Sequence, residues 1–392
     1  MKRQRVSVNH YDITILGGGI AGLWLLNVLK KVGFDVLLVE KCAVGGVQTI
    51  ASQGMIHGGQ RYMLGATPSD HAEAVAPLPD RWNACLAGQG ELDLSGVRVL
   101  SETQVMWPVG GRLTQLALGA AAYMLQAKTR KLDVSEFPDV FSGLSDFPVF
   151  VLPEKVVDVA SLVEVLSTPH ILSIREGSVE SLSQDGYVVV SGVKISTRAV
   201  ICAAGLGNEE LLTLMNVGDN ATQRRPLRQF MVKTMPFPLY GHGITASYRP
   251  RVTVTSYPLS SGGYLWYLGG GLADDTISLK DDEAISFAKK EMMSIFDHLN
   301  WDAQHWSTWY GVRAEARSQN GRLPSGPVVQ EYGNAMFVWP TKLTLAPLLG
   351  DYVLARLAAK GIEPRNFRQR AASVNLPLPR LAVCPWDRAA WS

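Results

Sequence analysis

Cysteine is scarce in this sequence and never clustered. The four cysteines, Cys42, Cys85, Cys202 and Cys384, are scattered without a C-x-x-C pair, which argues against a disulfide framework or a metal site of the zinc type and for reduced thiols in a cytosolic protein. An excess of one charge is missing too. The formal net charge is only +2 at pH 7, whereas a nucleic-acid binder carries a concentrated basic excess, so nucleic acid is not an expected partner. No apolar run approaches the ~18 residues that a membrane-spanning helix needs, which leaves peripheral membrane contact as the membrane option still open. Met1-Lys-Arg-Gln-Arg5 is basic, but Asp12 and three glycines interrupt the apolar stretch after it, so it is not expected to act as a signal peptide. What the chain does have is length and apolar content: 392 residues, 47% hydrophobic and 18% charged, sufficient for two layered domains with real cores.

The stretch from Tyr11 to Glu40 reads as strand, glycine-rich turn, helix, strand, acid. Tyr11-Asp-Ile-Thr-Ile-Leu16 is β-rich, Gly17-Gly-Gly19-Ile20-Ala21-Gly22 is a G-x-G-x-x-G turn, Leu23 to Lys31 is an apolar-faced helix stopped by Gly33, and Asp35 to Val39 is a second buried strand. Gly17 permits the tight turn, Gly19 lets the backbone approach a pyrophosphate, and Gly22 lets helix and strand pack closely. The helix start offers free N–H groups and a positive dipole end to the phosphates, with Ile20 and Ala21 at that end. Glu40 follows Gly22 by 18 residues, the place of an acid that hydrogen-bonds a ribose hydroxyl, with Lys41 next to it. A carboxylate there repels a 2′-phosphate, so the dinucleotide is NAD or FAD rather than NADP. Spacing alone leaves those two open.

From Cys42 to Tyr62 the chain is rich in Gly, Ser, Thr and Gln, and Thr49, Ser52 and Gly54 are candidates to lie against a flat cofactor. Leu113 to Arg130 is expected to be a helix in an otherwise irregular stretch. Val157 to Leu166 reads as a helix, Ser178–Leu182 and Tyr187–Ser191 as a meander turned by Gln184-Asp-Gly186, and Ala199 to Asn208 as a buried strand entering a glycine turn and a helix. Longer β segments follow, Arg251–Thr255 and Tyr264–Leu268, then a helix with Ile285, Ala288, Met292, Ile295 and Leu299 on one face. Two runs here can carry chemistry: Tyr240-Gly-His242-Gly243, and Thr308-Trp-Tyr-Gly-Val-Arg313, with Arg317 as a second arginine. Ala335–Trp339 reads as a strand, and Pro340-Thr341-Lys342-Leu343-Thr344 turns into a helix with Pro347 in its first turn and Gly361 at its end. From Ile362 on, no element is expected.

Gly17 to Gly22, Glu40 and Ile56-His-Gly-Gly-Gln-Arg-Tyr62 together resemble the superfamily of flavin-dependent amino-acid oxidases and glycerol-3-phosphate dehydrogenases. Trp309-Tyr-Gly-Val-Arg313 and Lys342-Leu-Thr344 are similar to runs of the dehydrogenase branch, although Thr341 stands where that branch has glycine and the featureless tail replaces its helical C-terminal domain. The resemblance selects FAD. It implies an α/β Rossmann-like FAD-binding domain (8–75, 150–225 and 325–365) interleaved with a mixed-sheet α+β substrate domain (76–149 and 226–324), followed by a tail (366–392). It further implies that Val179 touches the adenine, that Ala204 and Gly205 form a cofactor turn, and that Thr341, Lys342, Leu343 and Thr344 approach the flavin. The expected reaction is oxidation of a small anionic alcohol, a hydroxy acid or polyol phosphate, by hydride transfer to flavin. Arg61 and Arg313 would hold the anion, with Arg317 as the weaker candidate, Lys342 would sit near the reactive edge, and His57 or His242 would be the base. An amine or amino-acid oxidase and a flavoprotein without turnover, acting as a redox or assembly partner, are the alternatives. Oxygen, a quinone and another protein all remain open as electron acceptor.

Overall fold

Strand β1 (Asn9–Leu16) is buried from Tyr11 onward, because an interior parallel strand is covered on both faces and reads as a continuous apolar run. The structure, a computed structural model, describes residues 9–58, 76–110, 129–142, 148–218, 221–245, 250–318, 324, 326–340, 342–365 and 374–392. Helix α1 (Ile20–Val32) follows the glycine turn and stops at Gly33. There a φ of 106° lets the Gly33 N–H donate to the carbonyls of Leu29 and Lys30 at 3.2 and 3.0 Å, a left-handed cap that glycine adopts without a Cβ penalty. Strand β2 (Val36–Glu40) lies parallel to β1, with Ile13 opposite Val36 and Leu16 opposite Val39.

Among the described residues this unit belongs to an eight-stranded sheet. Ile174–Glu176 lies beyond β2, and Val193–Cys202 pairs in parallel with the other side of β1. That long strand has two neighbours on its far edge. Tyr187–Val190 runs antiparallel to its first half, and Ala335–Trp339 runs parallel to its end, with Cys202 opposite Phe337. Helix Ala346–Ala359 packs against α1 and buries Leu349, Val353 and Leu357. Residues 78–97, expected in the substrate domain, pack into this first core instead. Trp82 is fully buried with its ring 4.8 Å from that of Trp24, and its Nε1 donates to the Thr344 carbonyl at 3.0 Å. An indole needs apolar surroundings and one acceptor, and this core supplies both.

The second sheet, also eight-stranded among the described residues, is built on the antiparallel pair Thr222–Met235 and His305–Ala316. Their register runs from Thr222 opposite Ala316 to Lys233 opposite His305. Helix Asp281–Ile295 covers one face through Ala284, Ala288 and Met292, which join Trp266, Phe296 and Trp301 in the second core. Ile285, Ile295 and Leu299, expected on the buried face, are only partly buried at its rim, because small residues let the helix sit close along a narrower stripe. Phe150–Leu152 pairs with Gln104–Pro108 in this sheet, so the chain leaves the second sheet only after residue 152 rather than at 150, and it re-enters that sheet at Thr222 rather than past 225.

The helix expected over Leu113–Arg130 lies outside the described residues except at its end, where Arg130–Lys131 is a strand opposite Phe150 and Val151. The tail is not featureless either. Arg380–Leu381 pairs in parallel with Ala43–Val44, and Pro385–Asp387 forms a 3-10 turn. No helix among the described residues is long and apolar enough to cross a membrane.

Replacing Trp82 by Ala opens a cavity between α1 and the Thr344 turn. We expect it to cost about 3–5 kcal/mol in denaturant unfolding, with Trp82→Phe losing less because it keeps most of the volume and gives up one hydrogen bond.

Candidate active site

The turn after β1 is shaped by contacts that only a missing side chain allows. A Cβ on Gly17 would lie 2.6 Å from the Ala203 carbonyl oxygen, at a φ of 110°, and a Cβ on Gly22 would lie 1.9 Å from the Gly17 carbonyl oxygen. The strand end Ala203–Ala204 is thereby pressed against the start of α1. Gly19 caps that helix without a side-chain hydrogen bond, and the Ile20 N–H donates to Thr49 Oγ1 at 3.0 Å. Glu40 closes the other side: its carboxylate accepts from the Gly18 N–H at 2.6 Å and from the Cys42 N–H at 3.0 Å.

A cavity of about 1270 Å³ opens from this turn and runs to the second sheet. Its first end is lined by Gly17, Gly19, Ile20, Ala21, Glu40 and Lys41, with Val179, Ala204 and Gly205 across from them, and Lys41 pairs with Glu210 at 3.0 Å. Thr49 and Ser52 lie along the loop that follows, and Lys342 and Leu343 come from the turn before the last helix. At the sheet end the lining includes Gln53, Gln229, Met231, Trp309 and Arg313.

Two polar atoms on this lining, Ser52 Oγ and Trp339 Nε1, are buried without a hydrogen-bond partner among the described residues. A buried polar group costs free energy unless it is paired, so these two mark a surface shaped for a ligand. Val47, also on the lining, is 61% exposed and has a φ of 55°. A β-branched residue in the left-handed region is strained, and such strain gathers at ligand sites.

Other expected residues sit elsewhere. His242 is 1% exposed with Nε2 2.9 Å from Gln104 Oε1, and His57 is buried on the Gly54–Gly58 loop; neither is on the cavity lining. Gly54 serves the fold: with a φ of 67°, its Cβ would come within 2.0 Å of the Val157 carbonyl oxygen. Thr344 is buried beneath Trp82, Gly22 lies behind the turn, and Arg317 donates its backbone N–H to the Ala221 carbonyl at 2.9 Å outside the lining. Arg313 is on the lining with its guanidinium 3.6 Å from Asp274. Arg61 and Thr341 lie outside the described residues.

Sequence reasoning missed the glutamines and the tail. Gln53 Nε2 donates to the carbonyls of Tyr267 at 2.9 Å and Thr253 at 3.2 Å, while the Thr253 hydroxyl donates back to Gln53 Oε1 at 2.7 Å. The Gln48 side chain accepts from the Ala314 N–H at 3.1 Å. Arg380, Ala382, Val383, Pro385, Arg388 and Ala389 all reach the cavity wall. Burial pushes the Cys384 thiol up to about 12 and raises that of Cys202 further, which disfavours a nucleophilic thiolate at either.

A glycine turn at a parallel-strand end, an acid on the next strand and a long cavity ending at a second sheet are the features of a dinucleotide-binding α/β fold with a ligand cavity between two sheets. The profile of the FAD dependent oxidoreductase (DAO) family matches residues 12–356, and the chain belongs to that family. It is 37% identical over 391 residues to a probable FAD-dependent oxidoreductase of Pseudomonas aeruginosa, covering 96% of this chain and 98% of that one. The crystal structure of that FAD-dependent oxidoreductase superposes with a TM-score of 0.84 at 35% identity, over 97% of this chain and 98% of the other. A glycine oxidase from Geobacillus kaustophilus shares the fold at a TM-score of 0.65 and 16% identity, over 96% of this chain and all of the other, or 100%. An L-α-glycerophosphate oxidase from Mycoplasma pneumoniae with FAD bound does so at the same TM-score of 0.65 and 16% identity, again over 96% and 100%. The protein is thus an FAD-dependent oxidoreductase, and the strained turn, the unpartnered lining atoms and the length of the cavity fit that cofactor.

Two substitutions separate cradle from fold. Glu40→Ala should leave a folded protein whose FAD affinity is weaker by roughly 1–3 kcal/mol, since an acceptor for a ribose hydroxyl is lost. Gly17→Ala should cost more of both, because the new Cβ meets backbone that has nowhere to go. Reconstitution of apoprotein with FAD, followed by flavin absorbance, measures the first; thermal unfolding measures the second.

Proposed function

We propose that the protein oxidises a small anionic amine, an amino acid or an N-substituted one, at the carbon that bears nitrogen. What supports this reading is the make-up of the cavity's sheet end. Its described lining offers amides, hydroxyls and cations but no carboxylate and no imidazole: the two acids on the lining, Glu40 and Glu210, lie at the other end, bound to Gly18 and Cys42 and to Lys41. Removing hydride from an alcohol carbon requires a base for the hydroxyl proton. A neutral amine needs none, because the nitrogen lone pair forms the C=N bond as the hydride leaves. Both histidines expected as base lie off the lining, which turns the reading from the hydroxy acid or polyol phosphate of the sequence analysis toward nitrogen. Likeness of fold extends to glycine oxidase and glycerophosphate oxidase alike, and fold does not fix function, so the reading rests on these side chains.

Bound FAD supplies the two-electron, hydride-accepting ring. The chain's own residues hold it and the substrate. Gly17 and Gly19, lacking side chains, would let the pyrophosphate approach the start of α1, whose dipole end favours it, Glu40 would take a ribose hydroxyl, and Val179 would flank the adenine. Arg313 places a permanent positive charge on the sheet wall for the substrate's anionic group. Lys342 adds a cation at the turn before the last helix, where positive charge eases the arrival of electrons. Gln53 and Tyr267 fasten the glycine-rich loop to the second sheet and so hold the wall on which the substrate would rest.

The test is anaerobic reduction of the bound flavin by a panel of glycine, N-alkyl glycines, iminodiacetate and L- and D-amino acids beside 2-hydroxy acids and glycerol 3-phosphate. Bleaching by amines alone is the expected result, bleaching by hydroxy compounds alone overturns it, and bleaching by neither points to a flavoprotein without turnover. With the active amine, Arg313→Lys should raise KM about tenfold while FAD content stays constant, because the two-bond fork is lost but the charge is kept. Lys342→Met should lower the flavin midpoint potential and slow reduction in a protein that still retains FAD; unchanged values would make Lys342 a solvated turn residue.

A further inference from the structure

The family match ends at residue 356, yet the chain beyond it returns to the cavity and is fastened at both ends. On the cofactor side, the Glu176 N–H donates to the Pro377 carbonyl at 2.8 Å, Arg380–Leu381 pairs with Ala43–Val44, and the Ala382 N–H donates to the Val44 carbonyl at 2.9 Å. The segment then crosses to the second sheet. The Trp386 ring lies 4.3 Å from that of Tyr257 and 5.4 Å from that of Tyr267, Lys233 Nζ sits 3.9 Å above the Trp391 ring, and Ser392 and Trp306 exchange backbone hydrogen bonds at 3.0 and 3.1 Å. Such a two-domain anchorage is worth far more than a free terminus would make.

Between those anchors, Val383, Pro385, Arg388, Ala389 and Ala390 face the cavity. Ala389, like Trp309, packs against the cluster of Met231, Tyr257, Leu265 and Tyr267, which places Arg388 at the sheet end, beside the substrate wall. Arg388 forms no ion pair among the described residues, whereas Arg313 shares its charge with Asp274 at 3.6 Å. Resting on the amine reading above, we propose that residues 380–392 are a strap forming one wall of the substrate chamber, and that Arg388 on this strap binds the substrate's carboxylate. Its planar fork grips a carboxylate with two parallel bonds and keeps its charge at every working pH. Substrate choice is then set partly by a segment that lies outside the common cofactor cradle.

The probes are acetate and benzoate, carboxylates with no oxidisable C–H next to nitrogen, titrated into the holoprotein while the visible flavin spectrum is followed. Wild type should give a saturable spectral shift, Arg388→Ala should weaken it about tenfold or more with FAD content and melting temperature unchanged, and Arg388→Lys should fall between. Trp386→Ala, which loosens the strap without touching Arg388, should raise the dissociation constant for the same probes and increase quenching of flavin fluorescence by iodide. Wild-type affinity in Arg388→Ala, or no shift by either carboxylate in wild type, overturns the proposal. Amines that bleach the flavin beside an unaffected Arg388→Ala would remove the strap proposal alone; an Arg388-dependent shift without bleaching by any amine would remove the amine reading alone.

Discussion

The molecule depends on how one glutamine is held. Gln53 leaves the glycine-rich loop of the cofactor domain and enters the second sheet, where its amide meets two carbonyls and a hydroxyl, while its own carbonyl accepts from Thr255 Oγ1 at 2.9 Å. Tyr267 completes the joint by donating its phenol to the Ala51 carbonyl at 3.0 Å and bonding to Gln229. Each such bond is worth only about 1 kcal/mol net, but a buried donor left without its partner costs more, so the set is satisfied in one relative placement of the two domains. Burial holds the Tyr267 phenol well above its ordinary pKa, which keeps it a donor across the working range. The joint fixes the distance between a cradle on one sheet and a wall on the other, and the cavity is the space that remains.

The cradle was legible because its local rules agree with one another. A continuous apolar strand, a glycine at φ 110°, a helix with a left-handed glycine stop and an acid on the next strand each need particular residue types, so the pattern survives in sequence. Along the second sheet the strands were legible and their borders were not. Phe150–Leu152 has the same β-branched and aromatic look whichever sheet it joins, and only Gln104–Pro108 as its partner decides. Trp82 was misplaced for a similar reason: nothing in its own neighbourhood announces that Trp24, far away in the chain, is its contact.

The site residues divide along the same line. Gly17, Gly19 and Glu40 belong to a motif whose spacing carries its chemistry, Arg313 to a run picked out by its resemblance to a family, and all four reach the cavity. His57 and His242 were attractive only as residue types flanked by glycine, and burial with hydrogen-bonded neighbours is what such histidines most often have. The tail left no trace, since its strand is two residues long and its anchors are single aromatic rings landing on another domain. Period-based reading sees elements that bury a face of their own; a strap has no face and borrows its order from what it touches.

Charge along the cavity joins these parts into one chemical scheme. At the cradle end each acid already has donors, so Glu40 is positioned to accept from a hydroxyl and to repel an added phosphate. At the sheet end the charges are cations, from Arg313 on the sheet, Lys342 on the turn and Arg388 on the strap. On the amine reading proposed above, an amino acid would enter as a zwitterion whose carboxylate those cations attract, and the same positive charges would oppose its ammonium group. Like charges held close disfavour the protonated form and lower its pKa, so binding itself would move such an amine toward the neutral state from which hydride can leave. On that reading such a chamber would need no basic side chain, because the groups that recognise the carboxylate would also favour loss of the ammonium proton to solvent water.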